Sequence, residues 1–259
     1  MDYLALGWTE LALALLCVVV AIVVVAIERL GGVRTLLLGT VRAFVQLMAI
    51  GYVLQAIFQA EAWYWTLLAL LVMTSVATLT AYGRQELRPR GLFPIVLFGI
   101  VAGTALTLVP TLLIILKFDN TFHPRFAIPL GSMILAPALN AASLVCERML
   151  ADVKLRGAEI ETLLSLGANR RQALAESGRG ALRAGLITYV NKLVTLGLVS
   201  FPGMMTGQIL AGVGPVDAVK YQIVIMYMIV TSAALTGTIV IALLRRLLLG
   251  RHLQLIHLE

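Results

Sequence analysis

The stretch Leu92–Leu116 reads LFPIVLFGIVAGTALTLVPTLLIIL, 25 residues without a charged side chain. A helix rises ~1.5 Å per residue, so this one is long enough to cross the ~30 Å hydrocarbon core of a bilayer. Similar apolar runs flank it: Leu11–Ile27, Leu36–Phe58, Trp65–Tyr82, Ile128–Cys146, Leu186–Val213 and Tyr221–Leu244. Only helices and closed barrels satisfy every backbone group inside lipid. Together the runs predict an all-α fold, a polytopic membrane bundle of about seven transmembrane helices. Leu186–Val213 is long for one straight crossing, and Pro202-Gly203 within it predicts a break or an interfacial extension.

Composition points the same way. The 259 residues are 60% hydrophobic and 13% charged, with a mean hydropathy of +0.97. Soluble domains carry roughly 25% charged residues, so this chain needs an apolar solvent outside it as well as an apolar core. It reads as a single membrane domain over residues 1–259. Met1-Asp2-Tyr3 lacks the basic n-region of a cleaved signal peptide, so the first apolar run is expected to be retained. Cys17 and Cys146 are the two cysteines; isolated in apolar segments, they form neither a disulfide framework nor a zinc motif.

The net charge of +7 suggests either nucleic acid or a membrane surface, and its distribution decides. One set of loops holds 15 basic residues: Arg29, Arg34, Arg84, Arg88, Arg90, Arg148, Lys154, Arg156, Arg170, Arg171, Arg179, Arg183, Arg245, Arg246 and Arg251. The alternate set holds three, Lys117, Arg125 and Lys220. The positive-inside rule then places the N-terminus outside and the C-terminus in the cytoplasm. Trp8, Trp63, Tyr64 and Trp65 fall at outer interfaces, as aromatic belts do. The basic excess is a topology signal, and no nucleic-acid partner is expected.

Residues 147–183 form a cytoplasmic segment between the fifth and sixth runs. Within it Ile160, Leu163 and Leu164 share one helical face, with Glu159, Glu161 and Thr162 on the other. Gly167 suits a left-handed helix end and Asn169 the cap of the next helix. The segment reads either as a solvated connector or as a docking helix whose apolar face packs on a partner protein.

Several chemistries lack their equipment. The sequence has no G-x-x-x-x-G-K-[ST] and no H-E-x-x-H, and its histidines (His123, His252, His257) fall in loops or the tail. No Asp or Glu lies near the centre of a run, where proton-coupled carriers and intramembrane proteases keep theirs. The few polar residues within runs include Arg42 and Gln46 in the second, Asn140 after Pro137 in the fifth, and Asn191 and Lys192 in the sixth. Pro202, Gly203, Met204, Met205, Thr206, Gly207 and Gln208 follow in the sixth. A buried cation costs ~2.5–3.5 kcal/mol on insertion scales, so Lys192 and Arg42 should face protein or water. Arg42 either snorkels to the interface or serves a path; Lys192 sits deeper and is open to both a structural and a functional reading. Gln46 and Asn140 are expected to hydrogen-bond between helices. Lys192 would repel a bare cation; it would instead attract an anionic chelate or substrate, or pair with another group of the chain. No metal site is legible, and soft methionine thioethers suit Cu(I) better than ferric iron.

The runs Asn140-Ala141, Glu147-Arg148, Glu161-x-x-x-x-Leu166-Gly167-Ala168, Ala181-Leu182-Arg183 and Leu198–Gly212 (LVSFPGMMTGQILAG) resemble the FetB-type ABC permeases, described as iron exporters. Arg42-x-x-x-Gln46-Leu47 extends the resemblance, and plant aluminium-tolerance proteins are similar. It implies a homodimeric permease in the inner membrane, with ATP bound on a separate cytoplasmic ATPase subunit and no cofactor on this chain. Glu159, Ile160, Glu161, Leu163, Leu164 and Gly167 would couple to that ATPase, since Glu161 to Gly167 has the Glu-to-Gly spacing of the EAA loop of bacterial ABC importers. Two alternatives stand beside this: a membrane scaffold or regulatory subunit without a path, and an autonomous ion-coupled carrier.

Reporter fusions test the orientation: those after Phe58 and Leu116 should read outside, and those after Tyr82 and Leu244 inside. Reversal of any one overturns the N-out, C-in arrangement.

Overall fold

The computed structural model describes residues 7–28, 33–60, 62–115 and 123–249. The N-terminal Met1-Asp2-Tyr3, Arg29, Leu116, Lys117, Arg251, His252 and His257 lie outside them. Two compact units divide the chain, residues 1–61 with 210–212 and residues 62–209 with 213–259. The first holds α1 (Trp8–Ile27) and α2 (Val33–Ala60), packed on each other. The second is built from α3 (Trp63–Gly83), α4 (Leu92–Pro110), α5 (Pro124–Leu155), α6 (Gly157–Ser165), α7 (Arg170–Ala173), α8 (Ala175–Thr195), α9 (Gly203–Leu210) and α10 (Pro215–Leu248). Every named element among the described residues is helical.

Five helical stretches among the described residues are long and apolar enough to cross a membrane: Leu36–Ala60, Trp63–Gly83, Leu92–Ile115, Pro124–Leu155 and Pro215–Leu248. They match the second, third, fourth, fifth and seventh expected runs. The first run lies within α1 (Trp8–Ile27). The sixth differs most: Leu186–Val213 is not one helix. Helix α8 starts well before it, at Ala175, and ends at Thr195, where Leu196 turns extended (ψ 133°). Gly197 adopts φ 80°, which a side chain disfavours. Its N–H donates to the Ser200 carbonyl at 3.1 Å, closing a turn before α9 begins at Gly203. Pro202 therefore stands just ahead of a new helix, where its missing N–H leaves no ladder bond unmade, and the interruption spans residues 196–202. In α4 another proline acts within the helix: Pro110 is followed by a five-residue π-helical turn, Thr111–Ile115.

Helix α5 is the axis of the second unit, packed on α3, α4, α8 and α10. Small residues set these approaches, as they must where lipid supplies no hydrophobic drive between helices. A Cβ on Gly99 would strike the Val240 side chain. One on Gly103 would strike Thr236 Oγ1 and lie 2.9 Å from the Thr236 backbone nitrogen and 3.0 Å from its Cα. On α8, a Cβ at Gly185 would meet Val145 at 2.9 Å, and on α10 one at Gly237 would meet Leu182 at 2.9 Å. Ser232 donates to the Ile134 carbonyl at 3.2 Å, tying α10 to α5.

The largest buried cluster gathers where the C-terminal ends of α5 and α10 meet α6 and α7. It includes Met149, Leu150, Val153, Ile160, Leu174, Leu244 and Leu248. The segment between α5 and α8 is thus folded onto the bundle.

Gly103→Ala places a methyl against backbone that cannot yield, and overpacking of this kind costs roughly 1–3 kcal/mol. Gly39 on α2 has nothing within 4 Å of a built Cβ, so Gly39→Ala should be neutral or gain about 0.5–1 kcal/mol from helix preference. Thermal midpoints of the two variants in detergent micelles measure the contrast.

Candidate functional site

A cavity of about 510 Å³ opens between α5, α8, α9, α10 and the 196–202 turn. Its place follows from the helix irregularities around it. Pro137 has no N–H, so the Met133 carbonyl one turn earlier loses its helical donor; both residues line the cavity. Tyr189 on α8 is buried and donates to the Pro137 carbonyl at 3.4 Å. The end of α8 at Thr195 stops it from filling the space beyond, and Leu196, Ser200 and Pro202 form that wall. Gln222, Ile225, Met226 and Ile229 of α10 close the far side.

Of the residues singled out in the sequence, Asn140, Lys192, Pro202 and Met204 line this cavity together. Asn140 hydrogen-bonds between helices, accepting from Arg84 Nη1 at 3.0 Å. Asn191, Met205, Thr206 and Gln208 are near in sequence but outside the lining. Thr206 turns its hydroxyl back to the Pro202 carbonyl at 3.2 Å, and Gln208 keeps a buried Oε1 without a partner. Gly203 is the first residue of α9, beside the lining rather than in it. Arg42 and Gln46 are exposed, one turn apart on α2, and neither is among the lining residues.

The sequence reading missed four polar liners: Gln222, Tyr189, Thr188 and Ser200. Gln222 is buried with its Oε1 unpartnered, and it was findable as the one carboxamide of the Tyr221–Leu244 run. Tyr189 was not, because its place opposite Pro137 depends on how α8 packs.

The 147–183 segment corrects a further expectation. The apolar face of α6 is not free for a partner: Ile160 is 2% exposed, and Leu163 and Leu164 are half-buried against the bundle core. What α6 leaves exposed is Ala158, Glu159, Glu161, Thr162 and Ser165, followed just past its end by Leu166 at 80%. Gly167 is left-handed, with φ 89°. Asn169 caps α7, accepting from the Gln172 N–H at 2.9 Å while Gln172 Oε1 accepts from the Asn169 N–H at 2.9 Å. Arg156 pins α6 in place. It gives two hydrogen bonds to Glu159 (2.9 and 2.6 Å), one to Glu176 on α8 (2.8 Å), and lies 3.6 Å from Asp152 on α5. The hydrogen bonds from Arg156 hold the Glu159 carboxyl below the ordinary carboxylate range.

Residues 8–249 match Uncharacterised protein family UPF0014. A UPF0014 membrane protein of Synechocystis is 36% identical over 97% of each chain. The Arabidopsis thaliana Protein ALUMINUM SENSITIVE 3 is 35% identical over 89% of this chain and 83% of its own. The Probable iron export permease protein FetB of Escherichia coli is 37% identical over 89% of this chain and 87% of its own. No solved structure is a match. The chain is a multi-pass membrane protein and belongs to the UPF0014 family.

Arg156→Gln removes the links from α6 to α5 and α8. Amide hydrogen exchange should rise across Gly157–Ser165 while α5 and α10 keep their protection. Acid should act in the same direction on the native chain. Glu159 is held low by its partner, so the contact is present at neutral pH and lost as pH falls below the ordinary carboxylate range.

Proposed function

We propose that the chain is the permease subunit of an ABC transporter that exports a metal ion, iron by likeness to FetB. In this reading two copies form the pore in the cytoplasmic (inner) membrane, N-terminus out and C-terminus in, and a separate cytoplasmic ATPase supplies the energy. The observation that carries it is the shared cavity. Asn140, Tyr189, Lys192, Ser200 and Gln222 come from α5, α8, α10 and an irregular turn, yet line one space. Irregular backbone at membrane depth is tolerated where it is buried or borders a water-filled path. A scaffold has no need of that convergence. The sequence has no phosphate-binding loop of its own, which suits a chain served by a partner ATPase.

Coupling is assigned to the α6–α7 segment. Its inward face is occupied by the bundle, so the surface offered to the ATPase is the outward one: Glu161, Thr162, Ser165, Leu166 and the Gly167 turn. Arg42 and Gln46 on α2 are assigned to the path through the dimer, together with Asn191, Met205, Thr206 and Gln208.

Copurification with the ATPase and transport in vesicles with and without ATP test the reading; transport indifferent to ATP overturns it. Leu166→Asp puts a carboxylate at the docking surface and should weaken ATPase association tenfold or more while membrane levels stay normal. Leu163→Asp is the contrast. It places a carboxylate among half-buried core residues, a desolvation cost of roughly 1–3 kcal/mol or more, and should lower the amount of folded protein itself.

A further inference from the structure

The cavity's charges and hydrogen-bond donors deepen the permease reading, on which this inference rests. Among the described residues Lys192 is the one charged residue in the lining, and no Asp or Glu lines it. A second cation stands directly behind: the Arg84 guanidinium holds Asn140 Oδ1 at 3.0 Å. With its oxygen engaged and its amide in hydrogen-bonding reach of the Tyr189 hydroxyl, Asn140 has one N–H left to offer a ligand. Thr188 and Ser200 add hydroxyls, while Gln222 Oε1 is the unpartnered acceptor. Met133, Met204 and Met226 supply polarisable apolar wall. Among the described residues no group of three or more His, Cys, Asp or Glu could hold a metal ion. A bare hard cation would meet two positive charges and no carboxylate, whereas an anion would gain both charges and most of the donors.

We propose that this cavity takes a small anionic ligand, its negative group at Lys192, and that any metal crossing here travels inside an anionic complex. The Lys192 ammonium holds the ligand directly, and Arg84 acts through Asn140 as a positioning residue.

The potential at the cavity wall reads this out without the ligand being known. Ser200→Cys, in a Cys17→Ser, Cys146→Ala background reconstituted in nanodiscs, presents one thiol there; Thr188→Cys is a second position should the first fold poorly. Its reaction rates with an anionic sulfonatoethyl and a cationic trimethylammonioethyl methanethiosulfonate are each normalised to a free thiol in the same buffer. The anionic reagent should be favoured at least threefold. That preference should disappear in Lys192→Gln and persist in Lys192→Arg. A normalised ratio at or below one, or one unmoved by Lys192→Gln, overturns the proposal. ATP-dependent transport by the unaltered chain is scored separately. Transport with a cation-favouring ratio sinks the anionic ligand and spares the permease; an anion-favouring ratio without ATP-dependent transport does the reverse.

Discussion

Where α4 crosses α10, the Gly103 Cα carries no side chain, and Thr236 backbone occupies the room that a side chain would need. In lipid the tails are as apolar as leucine, so helices gain little by hiding apolar surface from their solvent. They associate through close approach, and close approach requires small residues at the crossings. Gly99 and Gly103 bring α4 onto α10, Gly185 brings α8 onto α5, and Gly237 admits Leu182 of α8 beside α10. With these distances fixed, Ser232 reaches the Ile134 carbonyl and Tyr189 reaches the Pro137 carbonyl.

The cavity marks where this close packing stops. Toward the cytoplasmic ends predicted from the charge pattern, glycines bring α5, α8 and α10 together beside the cluster around Met149, Leu150 and Leu244, although an outer cleft between Arg148 and Glu176 stays open there. Around Pro137 the helix α5 loses a ladder bond, α8 comes to an end, and methionines replace glycines on the facing surfaces. Polar side chains of three elements face one space there, and the unpartnered Gln222 oxygen is the mark of that looseness.

Much of this was legible in the sequence. Apolar stretches of membrane length marked four of the helices nearly to their ends. Gly167 and Asn169 announced a left-handed turn and a helix cap because both are local backbone matters, decided within a few residues. Asn140 and Lys192 could be suspected because polar groups are expensive in lipid. The misreadings are non-local. Pro202-Gly203 looked like the break, but a helix can begin at such a pair as readily as end there, and the turn opened six residues earlier at Leu196. The apolar face of α6 announced a packing partner correctly, and no periodicity can tell that the partner is the chain's own core. The Gly99-x-x-x-Gly103 spacing was present and unread, although it is a recognised pattern of close helix contact.

The charge cluster at Arg156 and the ammonium at Lys192 belong to opposite ends of one continuous helix. Glu176, which Arg156 grips, lies in the first turn of α8, and Lys192 in its last. Sixteen residues separate them, a rod of about 24 Å at ~1.5 Å per residue. Tilting that rod by about 10° about its first turn would carry the ammonium through roughly 4 Å, on the same helix geometry. The turn at 196–202 leaves the rod's far end unjoined to any following helix. A displacement at Glu176 would thus reach Lys192 through the helix itself, against the glycine contacts that hold α8 on α5 and α10.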